Sequence, residues 1–329
     1  MNETLNILEL RTATSFRIYV PVIDALTFLT IIASVFAIRS LKQKQLFNKP
    51  TNHLIVSNII CQNIHNFSYS YIETWSLYRS LVYSTDVNNI MFQSWECYYS
   101  HVFNSCSRIL LIYIEISLNI DRILCRVWPI MNETSRPAVL LIGLTFIAAY
   151  ATGITIHLIY PPPMNTTTSC FREIDLTVNL DATNLLFYSM SAFICLALDI
   201  FMMVKLFKGK RQEKKSYNLA KKYNSLEEYY SLAAVSSISI IQMICTSFYS
   251  VSMFVANKLN RQVPNTMDVN TLRWCFTTPY SSFLIPCQIL FVIWWIERKR
   301  RCRIQKIRNQ IENSVDYFYR LDKLWNKSP

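Results

Sequence analysis

Seven runs of about 20 residues in which apolar side chains dominate constrain the fold of this chain more than any other feature. They lie near Phe16 to Ile38, Leu54 to Trp75, Cys97 to Ile120, Ala138 to Tyr160, Ala182 to Phe207, Tyr229 to Ala256 and Leu272 to Ile296. A bilayer core of about 30 Å takes about 20 residues of helix to cross, and a helix satisfies its own backbone polar groups where there is no water. The expected fold is therefore all-α, a seven-transmembrane helical bundle over residues 16–296, with segment 1–15 before it and a tail, 297–329, after it. The second run is the least apolar, interrupted by Asn58, Gln62, Asn63, His65 and Asn66. It counts as a span because six spans would place the later basic loops on conflicting sides.

The direction of insertion follows from charge. Most of the 33 Lys and Arg fall after the first, third and fifth runs and in the tail. That is the positive-inside pattern, with the amino terminus outside and the tail in the cytoplasm of a multi-pass plasma-membrane protein. The net charge of +12 then reads as topology and as attraction to anionic membrane lipid of the inner leaflet. No basic recognition module is visible, so nucleic acid is not an expected partner. Met1 to Thr12 has no basic start with an apolar core, so no cleavable signal is expected. Sequons at Asn2 and Asn165 fall outside and are expected glycosylation sites; those at Asn66, Asn132 and Asn326 fall in the membrane or cytosol. Of the ten cysteines, Cys97 and Cys170 alone occupy outer positions. A disulfide between them is expected in that oxidising compartment, holding the Pro161 to Leu180 loop over the mouth of the bundle.

The third run carries a polar stripe. His101, Asn104, Arg108, Leu111, Glu115, Leu118 and Arg122 follow steps of three and four and so share one helical face. Arg108 lies about 16 Å along the helix from Cys97, near mid-membrane. A cation at that depth faces protein or water and needs a partner, for which Glu115, Glu73 and Asp24 are the acidic candidates. Either the charge locks helices together, or it anchors an anionic or carbonyl-bearing ligand. The stripe divides by depth: His101, Asn104 and Arg108 as candidate pocket residues, Glu115, Asp121 and Arg122 as a candidate cytoplasmic switch.

Further pocket candidates in the outer halves are Glu73, Phe187, Tyr188, Phe248, Tyr249 and Trp274. The aromatic end of the second run, Phe67 to Trp75, reads first as an interfacial belt and second as a pocket wall. Asp24 reads as a bundle contact or a headgroup-level acid. Asp199, nearer the cytoplasm, reads as a packing or switch group. Pro279 and Pro286 remove backbone bonds from the seventh helix and permit kinks where neighbouring groups compensate. Lys205 to Tyr230 reads as a solvated helical extension of the sixth helix that offers a docking surface. Beyond Trp295, Ile304, Ile307, Ile311 and Val315 describe an amphipathic helix suited to the inner leaflet. Cys302 is a palmitoylation candidate or an ordinary thiol.

Two stretches carry a resemblance. Asp121-Arg122 looks like the acid-arginine pair that closes the third helix of G-protein-coupled receptors. Asn218-Leu219-Ala220-Lys221-Lys222-Tyr223-Asn224-Ser225-Leu226-Glu227-Glu228 is similar to a pattern of nematode chemosensory seven-helix receptors. The chain thus resembles the sra, srb, srab and sre group of those receptors, and the sre members most. The resemblance implies a small-molecule chemical cue as ligand, a heterotrimeric G protein as partner, expression on sensory cilia, and a switch at Glu115, Asp121, Arg122 and Glu227. Three features depart from the group: Thr278-Pro279 where many members have Asn-Pro, no proline in the sixth helix, and Asp121 in place of Glu.

A receptor is accordingly the leading function. A small-solute transporter is the alternative, since polar groups at mid-depth also line transport paths, but no internal repeat or paired Gly interruption appears. Enzyme chemistry lacks its motifs: the four histidines have no zinc-ligand spacing, and there is neither a phosphate loop nor a nucleophile elbow. No cofactor and no metal are expected.

Overall fold

The computed structural model describes residues 13–44, 49–83, 92–127, 136–159, most of 189–204, 219–262 and 273–325, with Phe47 and Ile90. Six long helices and one shorter helical stretch account for nearly all of them. They are α1 Thr14–Lys44, α2 Lys49–Val82, α3 Ser94–Val127, α4 Arg136–Ile159, α5 Ser189–Val204, α6 Leu219–Gln262 and α7 Thr278–Trp325. Such length without interruption follows from a chain with three glycines, because in lipid nothing competes with the intrahelical bond except a breaker.

Among the described residues, four helices are long and apolar enough to cross a membrane by themselves, over Thr14–Lys44, Ala138–Thr155, Leu232–Ser252 and Thr278–Cys302. The two that fall short of that apolarity, α2 and α3, are each 34 residues long. Their polar side chains point inward. Asn58, Gln62, His65, Asn66 and Glu73 of α2 are buried, as are Asn104, Ser107, Glu115, Ser117, Asn119 and Asp121 of α3. The apolar side chains do the reverse: Phe28, Val35 and Phe36 of α1, Leu140 and Ile147 of α4, Phe193 and Phe201 of α5, and Ile244, Val251 and Phe254 of α6 are exposed. An outer surface this rich in large hydrophobics needs a lipid solvent.

The helices close on themselves. α1 packs between α2 and α7, α2 also meets α3, α4 and α7, α3 meets α4 and α6, and α6 meets α7. At the Cys97 end, Phe16, Tyr19, Tyr69, Tyr249 and Phe276 form an aromatic core. At the opposite end Leu41, Leu54, Leu118, Tyr230, Val292 and Ile296 form an aliphatic one. Between α3 and α4 the backbones approach so closely that a Cβ on Gly153 would stand 2.3 Å from Cys106 Sγ. Glycine is required there for space, as at other close helix crossings in membranes.

At α7 the helix bounds differ from those read in the sequence. Arg273 and Trp274 are helical, Cys275 to Thr277 break the helix, and α7 begins afresh at Thr278, so Pro279 is not an interior kink. The Thr277 carbonyl accepts the Ser281 N–H at 2.9 Å, so Pro279 occupies the first turn, where its missing donor costs nothing. Pro286 does lie inside the helix. The stretch after the seventh span is helical, as expected. α7 runs on for 48 residues to Trp325, so that stretch continues the seventh helix without a break. Glu297 to Arg303 contains neither Gly nor Pro, and good helix formers give the chain no reason to turn. Glu297 there meets Lys44 of α1 at 2.5 Å. α6 likewise extends back to Leu219, in line with the helical extension read from the sequence.

Candidate functional site

The Cys97 end is held by polar contacts. Cys97 is buried and disulfide-bonded; Cys170 lies outside the described residues. One turn away, Arg79 Nη2 donates to Glu96 Oε1 at 2.8 Å and lays its guanidinium over the Phe92 ring at 4.4 Å. That bond holds the Glu96 carboxyl below its usual range. Asp24 of α1 accepts hydrogen bonds from the hydroxyls of Ser70 and Thr74 on α2, which makes it a bundle contact. The Tyr19 and Tyr69 hydroxyls meet at 2.7 Å.

Glu73 faces Arg273, at 3.9 Å, with the two side chains 0% and 4% exposed. The separation is too long for a hydrogen bond, so this is a buried ion pair. The Arg273 guanidinium also stacks on Phe16 at 4.4 Å. Periodicity overlooked Arg273, which precedes α7 and belongs to no repeating face. Its only signal was charge set among apolar neighbours.

Below this layer a cavity of about 60 Å³ opens between α2, α3, α5, α6 and the start of α7. Gln62, Arg108, Leu111, Ile112, Glu115, Ser191, Gln242, Cys245, Thr246, Tyr249, Thr277, Thr278 and Ser281 line it. Arg108 lies 5.4 Å from the Tyr249 ring and 6.0 Å from that of Phe276, distances at which a guanidinium is attracted to an aromatic face. Two contacts fix the walls. Ser282 donates to Gln62 Oε1 at 2.5 Å, joining α7 to α2, and Thr277 Oγ1 donates to the Cys245 carbonyl at 2.6 Å, joining the start of α7 to α6. Behind Arg108, His65 Nδ1 and Ser107 Oγ stand 2.8 Å apart, and Ser107 donates to the Asn104 carbonyl.

At the opposite end of α3, Asp121 is 2% exposed and accepts the Thr51 hydroxyl at 2.9 Å. This ties α3 to the first turn of α2. Arg122 follows on the same helix, with its side chain outside the described residues.

Residues 4–325 match the family described as serpentine type 7TM GPCR chemoreceptor Sra. The chain belongs to that family. Its relatives include serpentine receptor class alpha-32 of Caenorhabditis elegans, 43% identical over 96% of this chain and 94% of the relative. Class alpha-33 of the same organism is 31% identical, with 98% of each covered, and class alpha-11 is 23% identical over 91% and 90%. Family membership corrects the closer likeness to sre: the chain is an Sra receptor. The loop motif was too short to separate the two, whereas the match to Sra spans nearly the whole chain. It also favours a receptor over the transporter alternative, in a family of receptors and not of enzymes.

In this Sra receptor the cavity brings together Arg108, Glu115 and Tyr249 of the residues singled out in the sequence. Glu115, read with Asp121 and Arg122 in the sequence, lines the cavity beside Arg108. Phe248 is 56% exposed and points away from the bundle. Trp274 sits at the rim, where its Nε1 donates to Ser15 at 3.2 Å and its ring meets Tyr19 edge-on. Asn104 is buried beside the cavity without lining it, and Glu73 lies in the layer above. Phe187, Tyr188, Asp199, Asn2 and Asn165 lie outside the described residues, as do the side chains of His101 and Glu227. Gln242 and Thr277 line the cavity and were not foreseen, because a single polar residue in an apolar run leaves no periodic trace.

Proposed function

We propose that this Sra receptor sits in the plasma membrane with its amino terminus outside, binds a small chemical cue in the cavity at Arg108 and signals to a heterotrimeric G protein at the Asp121-Arg122 end. One observation carries the reading: α3 is a single helix that lines the cavity with Arg108 and Glu115 and reaches Asp121, fastened to Thr51, two turns further on. A ligand that favours one of two bundle arrangements shifts the population of the other end through such an element. Cys170 is proposed as the partner of Cys97. Seven other cysteines are not disulfide-bonded, and Cys125 lies some 40 Å along the same helix. The description of the family as chemoreceptors supports sensory cilia as the location.

The test is a second-messenger assay in cells exposed to water-soluble and volatile compounds, with Arg122→Ala beside the unaltered receptor. The expected outcome is a ligand response that Arg122→Ala abolishes while surface expression persists. A response that survives the substitution would remove Arg122 from the switch. The asymmetric charge distribution and the name of the family both support coupling on the basic face.

A further inference from the structure

We infer that the seam between α1 and α7, at the end opposite Cys97, holds the headgroup of a polyphosphoinositide; this rests on the proposed orientation, which turns that end to the cytoplasmic leaflet. Both helices change character along one face. On α1, Phe28 and Val35 are 64% and 59% exposed, and steps of four and three lead from Val35 to Arg39 and Lys42, both exposed. On α7, Leu284, Phe291 and Trp294 are 44%, 54% and 51% exposed, and the same steps lead from Trp294 to Arg298 and Arg301, also exposed. Residues at such spacings share a helix face, so two lipid-facing stripes each turn from apolar to cationic. They turn at one level. α1 and α7 pack together, Leu41 and Ile296 belong to one buried cluster, and just beyond them Lys44 Nζ meets Glu297 Oε1 at 2.5 Å.

The change falls at headgroup depth. A tryptophan turned to lipid marks the membrane interface, and Arg298 lies one turn beyond Trp294 with its guanidinium over that ring at 5.4 Å. Stacking uses the face of the guanidinium and leaves its in-plane N–H groups for phosphate. Glu297 draws the neighbouring cations together, holding Lys44 on one side and Arg301 Nη2, at 3.8 Å, on the other, and those two side chains remain 43% and 81% exposed. A merely solvated charged face alternates its signs. Here Glu297 is the one acid from Trp294 to Arg303, and Arg39 to Lys44 contains none. Five cations, Arg39, Lys42, Lys44, Arg298 and Arg301, thus stand against one carboxylate, within about 14 Å along the helix axes. The resulting excess of positive charge selects among lipids. A phosphatidylserine headgroup has one net negative charge and an ammonium that these cations repel. An inositol lipid with two ring phosphates carries about four negative charges on one headgroup, so a single bound lipid matches the seam.

The experiment is native mass spectrometry of the full-length receptor released from phosphatidylcholine nanodiscs that also contain phosphatidylinositol 4,5-bisphosphate or phosphatidylserine. The bisphosphate should be retained at about a tenth of the serine lipid's concentration or less. Arg298→Gln with Arg301→Gln, and separately Arg39→Gln with Lys42→Gln, should each weaken its binding about tenfold or more. The two pairs lie on different helices, so one serves if the other fails to fold. Lys49→Gln with Arg308→Gln removes the same amount of exposed charge away from the seam and should leave binding unchanged. The inference is overturned if the two anionic lipids bind alike, if either seam pair leaves binding intact, or if the Lys49 and Arg308 pair weakens it as much. It is also overturned if free inositol 1,4,5-trisphosphate displaces the lipid at equal concentration, which would make the ligand a soluble phosphate. Both leaflets of the disc carry the lipid, so this binding does not depend on orientation. Antibody staining that placed the tail outside the cell would leave the site standing and remove only its access to the leaflet that holds such lipids.

Discussion

At the scale of single residues, the buried Glu73 and Arg273 pair carries a definite energetic expectation. A guanidinium 4% exposed and a carboxylate 0% exposed are tolerable together and costly singly, since removing one member of a buried pair typically costs about 3–5 kcal/mol. Glu73→Gln should therefore lower the melting temperature of the solubilised receptor markedly. The double change Glu73→Gln with Arg273→Met should recover most of the loss, because it removes both charges and preserves volume. A double variant no more stable than the single one would show that the pair is not what holds α2 to the start of α7. The example also marks where sequence reasoning stops. Spacing placed Arg108 and Glu115 on one face, and the structure puts both on one cavity. It offered Glu73 as a partner for Arg108, yet Glu73 faces Arg273, while Arg108 rests near Tyr249 and Phe276. Periodicity tells which residues share a face of their own helix. It does not tell how far the neighbouring helix is rotated, and that rotation decides partners.

At the scale of elements, the polar content that made the second run the weakest span is what identifies α2 as an interior helix. Its Asn58, Gln62, His65 and Asn66 are buried in a helix that packs on α1, α3 and α7, whereas the most apolar runs, α1 and α4, expose their side chains. Hydropathy thus found the spans, and departures from it ranked them by depth in the bundle. Helix boundaries were less legible. Pro279 reads in sequence as a kink or as a first-turn residue, and only the break at Cys275 to Thr277 decides. The close approach of α3 and α4 leaves a testable mark. Gly153→Ala would drive a methyl onto Cys106 Sγ, and overpacking of this kind costs about 1–3 kcal/mol. Surface expression should fall, and adding Cys106→Ala should restore part of it by removing the sulfur. Equal expression of Gly153→Ala and the unaltered receptor would mean that the two helices separate at little cost.

For the whole molecule, charge asymmetry sets the expected direction of insertion, and closure of the helical ring makes the two ends chemically distinct. Aromatic rings and the Glu73 and Arg273 pair gather at the Cys97 end, and aliphatic packing gathers around Leu41, Leu118 and Ile296 at the other. An epitope fused before Met1 should be stained by antibody on intact cells, and one fused after Pro329 only after permeabilisation; the opposite staining would invert the topology.

The unbroken α7 has a mechanical meaning as well. Its first turn lines the cavity and its last residue is Trp325, and 48 residues of helix make a rod of about 72 Å. If such a rod pivots at its first turn, a tilt of about 5° there sweeps the far end through about 6 Å at this helical rise. A rearrangement no larger than a ligand's own hydrogen bonds is thereby magnified into a displacement comparable with the width of a side chain.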